Sequence, residues 1–364
     1  MPTNVTQPAY SAISLYSGAG GLDLGFSRAG FRICWAIDSD RFAVKTYNAN
    51  LESCAVCGDV VSVEPPSGIK PTLVIGGPPC QGFSVIGRMD PDDPRSRHID
   101  HFLDIVAYLR PRAFVMENVK ALAVSPRWAA TCERLLERAA ALGYERSLFV
   151  LNAQDFDVPQ SRERMFLIGI RGARPEQPLA TTAGCPPNVR STLTRLPHFG
   201  EPGNDASCVA RVIPASKPVM RPTAHSGSLL FNGSGRPLKL DGPAKTLPAS
   251  MGGNATPILD QEELEHGAEP WVVDYHRRLQ SGKPPLKRAP GRLRRITVQE
   301  AAALQTFPPD WIFAGPRVAQ YRQVGNAVPP HLAEAVALSV YGVLDSQDKA
   351  ARKSNATSEI PQAA

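Results

Sequence analysis

The chain has 364 residues, of which 43% are hydrophobic and 20% charged, a balance that excludes fibrous and low-complexity classes and leaves a globular protein large enough for one α/β domain and a smaller second one. A net charge of +6, from 40 basic and 34 acidic side chains, suits a polyanionic partner without demanding one. No apolar run approaches the ~18 residues of a membrane span, and Met1 to Ala12 lacks a basic-then-apolar leader. The 7 cysteines fit reduced thiols better than a disulfide framework, so a cytoplasmic protein with no membrane partner is expected.

From the N-terminus, Ile13-Ser14-Leu15-Tyr16 reads as a strand that runs into Ser17-Gly18-Ala19-Gly20-Gly21 and then a helix. Strand, glycine turn and helix opening bring backbone N–H groups up to a ligand. Phe31 to Ile37 reads as the second strand, with Asp38 at its tip. An acid roughly 20 positions after a glycine turn is the usual partner of ribose hydroxyls. Asp40 instead suits the cap of a helix over 41–50. Cys54-Ala55-Val56-Cys57 has no second pair at zinc-site spacing, so no metal is expected. Gly58-Asp59-Val60 offers a second strand-tip acid.

Leu73 to Gly76 is an apolar strand that ends in Gly77-Pro78-Pro79 and presents Cys80. Proline cannot continue a strand, so the cysteine stands on a braced loop past the carboxyl end of a buried strand, where open α/β sheets bind ligands. Such a loop suits a nucleophile better than a filler side chain. Val85 to Arg97, rich in Pro, Asp and Arg, reads as a loop over the site. A helix over 98–110 leads to the strand 113–119, whose Glu117 ends an apolar run at a cost that asks for a task or a partner. A helix over 128–142 and strands over 146–151 and 165–170 follow. Between those strands, Arg162 and Arg164 in Gln160-Ser161-Arg162-Glu163-Arg164 share a face if extended, with Glu163 turned away.

From 171 to 290 the rhythm is lost, and much of the excess among the chain's 35 prolines lies between about 172 and 330. Short strand-and-turn pieces suggest a separate, smaller unit. Thr297 and Glu300 form a capping-box pattern. Gly325-Asn326 reads as a tight turn aimed at the site, before a helix over 331–344. A polar tail over 346–364 is expected to be disordered.

Taken in order, the glycine turn, Asp38, Asp59, Gly-Pro-Pro-Cys-Gln, Met-Glu-Asn-Val, Gln-x-Arg-x-Arg, Arg-x-x-Thr-x-x-Glu and Gln-x-Gly-Asn-x-Val resemble the DNA (cytosine-5) methyltransferases. The resemblance is nearest to the bacterial modification enzymes of restriction–modification systems. It spans about residues 11 to 345. It implies a Rossmann-like, doubly wound, mostly parallel sheet (the S-adenosylmethionine-dependent methyltransferase fold) over 1–180 and 315–345, with an irregular target-recognition domain over 181–314. It also implies S-adenosyl-L-methionine as cofactor, S-adenosyl-L-homocysteine as product, double-stranded DNA as partner, and a cognate restriction endonuclease in the same system.

Carried over by residue, Cys80 is the nucleophile, Glu117 the partner of the cytosine ring at N3, and Arg164 the contact to the base carbonyl, with Arg162 beside it. The cofactor pocket is expected from Tyr16, Ser17, Gly18, Ala19, Gly21, Asp38, Ser39, Asp59, Val60, Pro79, Asn326 and Ala327. DNA contacts are expected from Ser84, Arg88, Arg97, Gln160, Arg294 and Gln323. Ser39 departs from the aromatic or apolar residue common in the family, which leaves Ile37 or a residue after Asp59 to face the adenine. The nearest alternative is a transfer RNA cytosine-5 methyltransferase of the same fold. An oxidoreductase on that fold leaves Cys80 and Glu117 without roles, and a catalytically dead DNA-binding module leaves the retention of both unexplained.

Overall fold

Two side-chain periodicities, one on the strands and one on the helices, build the larger half of the molecule. The computed structural model describes residues 10–79, 97–206 and 210–358. Five strands, β1 (Tyr10–Leu15), β2 (Phe31–Asp38), β3 (Ala55–Cys57), β4 (Leu73–Gly76) and β5 (Ala113–Val119), run parallel. After β6 (Glu145–Asn152) and the short β7 (Gln160–Ser161), β8 (Glu163–Ile170) runs antiparallel to both β5 and β6. The order is β3-β2-β1-β4-β5-β8-β6. The expected mostly parallel sheet is therefore present, with one reversed strand near its edge.

Successive residues of each strand feed opposite faces. Leu73 and Ile75 of β4, Val115 of β5 and Phe166 and Ile168 of β8 join one apolar cluster with Phe26, Tyr47, Leu332 and Val336. Val74, Phe114, Met116 and Leu167 join the other with Phe102, Leu103, Val106 and Leu135. The first face is covered by α1 (Gly21–Arg28), α2 (Arg41–Asn50) and α11 (Pro330–Ser358), and the second by α3 (Arg97–Leu109) and α5 (Ala129–Ala141), after the short α4 (Lys120–Val124). A sheet buried on both faces reads as continuous apolar runs, which is why Leu73–Gly76 and Ala113–Met116 were legible as strands. Strand order reverses between the neighbours β1 and β4, the point at which open α/β sheets bind their ligands.

The segment from 181 onward is built differently. Its pieces are α6 (Val189–Leu193), β9 (Pro214–Val219) with β10 (Leu229–Phe231), β11 (Ala244–Lys245), β12 (Ile258–Asp260) with β13 (Leu293–Arg295), and the helices α7 (Gln261–His266), α8 (Trp271–Gln280), α9 (Val298–Leu304) and α10 (Arg317–Asn326). Two small apolar clusters hold it, one around Leu230, Phe231, Val272 and Tyr275, the other around Leu247, Leu259, Ile296 and Leu304. Tyr321 and Val324 of α10 join the latter. β11 pairs with β7 in a separate two-stranded sheet, and β7 leads through Arg162 directly into β8 of the large sheet.

The C-terminus corrects the expected disordered tail. α11 continues to Ser358, and polar residues of its middle turns find partners on the sheet. Asp348 accepts from the Tyr10 hydroxyl at 2.7 Å and pairs with Arg112 at 2.8 Å, and Gln347 donates to the Arg171 carbonyl at 2.7 Å. Residues 359–364 lie outside the described residues. The segment Arg317–Asn355 has the length and hydropathy of a membrane span, but 67% of its most apolar window is buried within the protein.

Candidate active site

At the end of β1 the chain turns through left-handed backbone at Tyr16 (φ 56°), Gly18 (φ 55°) and Gly20 (φ 85°). Glycine takes such angles freely, and Tyr16 is held there by an edge-on contact with His98, whose Nδ1 lies 3.1 Å from the phenol oxygen. Asp38, at the tip of β2, accepts from the Gly18 N–H and the Asp40 N–H, both at 2.8 Å, and so fixes the turn. Burial raises the Asp38 carboxyl above the ordinary range. Asp40 caps α2 as expected, accepting from Phe42 N–H at 2.9 Å, and also pairs with Arg322 at 2.7 Å.

Around this turn sit several of the residues expected for the cofactor. Ser17 and Ala19 are buried, Ser39 and Asp59 exposed, and Val60 buried with its carbonyl 3.0 Å from His101 Nε2. A Cβ on Gly21 would stand 2.4 Å from the Val328 oxygen and 3.3 Å from Ala327, so Ala327 adjoins the turn. The expected tight turn at Gly325-Asn326 is instead the last turn of α10, which leaves Asn326 exposed at the helix end. Two observations fit a nucleoside-containing cofactor here. The buried Ser17 hydroxyl has no hydrogen-bond partner among the described residues, and the space a Cβ would take at Gly18 is open.

Further along the sheet, Glu117 and Arg164 meet at the ends of β5 and β8, Oε1 to Nε at 3.1 Å, with side chains 12% and 15% exposed. Burial is the main influence on Glu117 and raises its carboxyl, while the nearby Arg164 and then Arg162 pull it down. Glu163 points away to Lys120, 2.8 Å distant. Asn118, buried at 1%, donates to the Pro78 carbonyl at 3.1 Å and so fixes the approach to Cys80. Pro79 ends the described part of that loop. Cys80, Ser84, Arg88 and the segment expected to lie over the site fall outside the described residues. Sequence reasoning gave Asn118 no role, although a buried amide beside Glu117 in an apolar strand was a signal that it needed a partner.

Four of the residues expected at the substrate find partners within the protein. Arg162 is 1% exposed and donates to the Leu247 carbonyl at 3.1 Å and the Gly325 carbonyl at 2.8 Å, so it faces the protein interior rather than a base. Gln160, fully buried, accepts from Leu247 N–H at 2.9 Å and donates to Gln305 at 3.1 Å. Gln323 accepts from the Thr46 hydroxyl at 2.6 Å and donates to the Ala314 carbonyl at 2.9 Å. Arg294 spends its guanidinium on both Glu300 oxygens, at 2.6 and 2.8 Å, and lies 4.0 Å over the Phe199 ring. In each case partners within the protein claim the polar group, far along the chain for Arg162 and Gln160 and only six residues on for Arg294. Arg97 alone of the described DNA candidates is exposed, at the start of α3. The Thr297–Glu300 capping box is formed as expected. Cys54 turns to the Ile33 carbonyl at 3.5 Å while Cys57 is exposed.

Comparison with known proteins places this geometry. The family model described as C-5 cytosine-specific DNA methylase matches residues 10–341. The chain is 33% identical over 347 residues to the type II methyltransferase M1.HphI of Haemophilus parahaemolyticus, covering 90% of this chain and 86% of that one. It is 33% identical over 365 residues to the type II methyltransferase M.XorII of Xanthomonas oryzae, covering 89% and 82%. The S. pombe Dnmt2 methyltransferase structure superposes with a TM-score of 0.64 at 21% identity, over 92% of this chain and 99% of that one, a likeness of fold. With its doubly wound sheet, its Pro-Pro-Cys loop and its Glu117–Arg164 pair, the chain belongs to the C-5 cytosine-specific DNA methylase family and is a DNA (cytosine-5) methyltransferase.

Proposed function

We propose that this enzyme methylates C5 of a cytosine flipped out of a specific duplex sequence, through a covalent bond between Cys80 and C6 of the ring. The observation that carries the reading is Glu117 and Arg164, 3.1 Å apart and nearly buried, beside a loop that Asn118 anchors just before Cys80. C5 of cytosine is too weak a nucleophile to take a methyl group unaided. Addition of the Cys80 thiolate at C6 makes the ring an enamine and loads charge onto the O2–C2–N3 side. Glu117, its carboxyl raised by burial, donates a proton toward N3, and Arg164 faces O2. The donor S-adenosylmethionine supplies the electrophilic methyl group, and the turn around Ser17, Gly18 and Asp38 with Ala327 would hold it. Loss of the C5 proton then lets the thiolate leave. A duplex hides all of these atoms, so the base leaves the stack first.

The larger sheet with the C-terminal helix forms the catalytic unit in this reading, and residues 181–314 read the groove. The length of that irregular segment favours duplex DNA over transfer RNA. The type II relatives support a role in shielding host DNA in the cytoplasm from a cognate restriction endonuclease. Incubation with S-adenosylmethionine and either plasmid DNA or transfer RNA, followed by mapping of 5-methylcytosine, tests it. Methylation of one recurring duplex sequence is expected. Methylation confined to transfer RNA contradicts it.

A further inference from the structure

Between Arg164 and the end of α10 lies one buried guanidinium that touches two separate parts of the molecule. Arg162 occupies the single position between β7 and β8. Its Nη1 donates to Leu247 of the irregular half and its Nη2 to Gly325 in the last turn of α10. Carbonyls in a last helical turn lack N–H partners and form the negative end of the helix dipole, so an arginine there gives both a donor and a favourable charge. The two backbones also meet directly. A Cβ on Gly325 would stand 2.4 Å from the Pro248 oxygen and 2.6 Å from its carbonyl carbon, so the contact requires glycine.

Neighbouring bonds reinforce this junction. Gln160 accepts from Leu247 N–H, Gln305 donates to the Val324 carbonyl at 2.8 Å, and the Thr246 hydroxyl donates to the Ser161 carbonyl at 2.9 Å. Elsewhere along its length α10 is tied to α2 by Arg322 to Asp40 and by Gln323 to Thr46, and the Asp40 N–H reaches Asp38. The helix thus connects the acid at the glycine turn with the segment 247–249 of the irregular half, and Arg162 holds the second end of that connection, bonded there to Leu247 and to the last turn of α10.

We propose that Arg162 is a positioning residue that couples DNA binding to cofactor binding. Seating a duplex against the irregular half fixes Leu247, and through the guanidinium fixes the turn that carries Asn326 and Ala327 to the cofactor side. The coupling runs equally in the other direction. This rests on the function proposed above, which assigns DNA to the irregular half and the cofactor to the glycine turn.

The test is the dissociation constant of a duplex carrying the mapped site, measured by fluorescence anisotropy with and without S-adenosylhomocysteine. For wild type we expect about tenfold tighter DNA binding with the product present, within the usual range for coupled sites. Arg162→Gln is expected to bring that ratio close to one while S-adenosylhomocysteine alone binds as in wild type, and Arg162→Lys to retain part of it. An Arg162→Gln enzyme with the full ratio overturns the inference, as does a wild type that binds DNA with no ratio at all. Should Arg162→Gln not fold, Gly325→Ala, which drives the same two backbones apart, decides on the same quantity, loss supporting and retention overturning. A wild type that binds no duplex under either condition counts against the proposed function instead.

Discussion

Glu117 ends an apolar strand at 12% exposure, with a guanidinium on one side and burial on all others. Removing its acidity while keeping its shape isolates its part in the chemistry. Glu117→Gln should lower kcat by about 10²–10³, the usual loss for one donor aimed at developing charge, with the melting temperature unchanged. The pH profile should change too. Burial lets the wild-type carboxyl keep its proton to higher pH than an ordinary glutamate, and as it ionises the wild-type rate should gain an alkaline decline that the glutamine enzyme lacks. An unchanged rate removes Glu117 from the reaction. Asn118→Ala leaves the Pro78 carbonyl without its donor and should cost about 1–3 kcal/mol of stability, read by urea unfolding, together with part of kcat. At this scale the sequence separated well the residues whose cost is local. An acid closing an apolar strand announces itself. It could not separate Arg162 or Gln160 from DNA-facing groups, because the carbonyls they bind lie 85 and 163 residues away for Arg162, and the amide Gln160 accepts from lies 87 away.

Elements of the large sheet were legible because strands buried on both faces are continuous apolar runs of consecutive residues, and the flanking helices because their apolar faces recur at helical spacing. The irregular half was not, since strands such as Ala244–Lys245 find their partners far off and leave no pattern. Its motif residues act as braces. Arg294 closes on Glu300, which is 1% exposed, so Arg294→Met strands a buried carboxylate and should cost about 3–5 kcal/mol in chemical unfolding. The salt dependence of DNA binding should not change. A steep loss of salt dependence with intact stability would return Arg294 to the phosphates. Beneath the glycine turn, α1 carries Asp23, fully buried, accepting from Tyr47 at 3.0 Å and pushed by desolvation to about 7. The unfolded chain ionises this acid near 3.8 whereas the folded protein keeps the proton to about 7, so Asp23 lowers stability progressively as pH rises through that window. Asp23→Asn should therefore match wild type near pH 4 and exceed it above pH 7 by at most roughly 4 kcal/mol, the equivalent of that displacement. Parallel pH–stability curves for the two proteins would refute this.

The whole molecule joins a sheet that can be read from its sequence to an appended half that cannot. What joins them is a narrow set of buried bonds at β7, the segment 244–249 and the end of α10. In the proposed mechanism the reacting sulfur, the acid and the donor all gather where strand order reverses between β1 and β4, and DNA arrives from the irregular half. The most direct measurement is a trapping experiment. The enzyme is incubated with S-adenosylmethionine and a duplex in which the target cytosine carries fluorine in place of the C5 hydrogen, which cannot leave as a proton does and so blocks release of the thiolate. The account predicts a stable protein–DNA adduct whose peptide map places the bond on Cys80, absent in Cys80→Ser although that variant still binds the duplex. Methyl transfer to ordinary DNA with no adduct at Cys80 would contradict it.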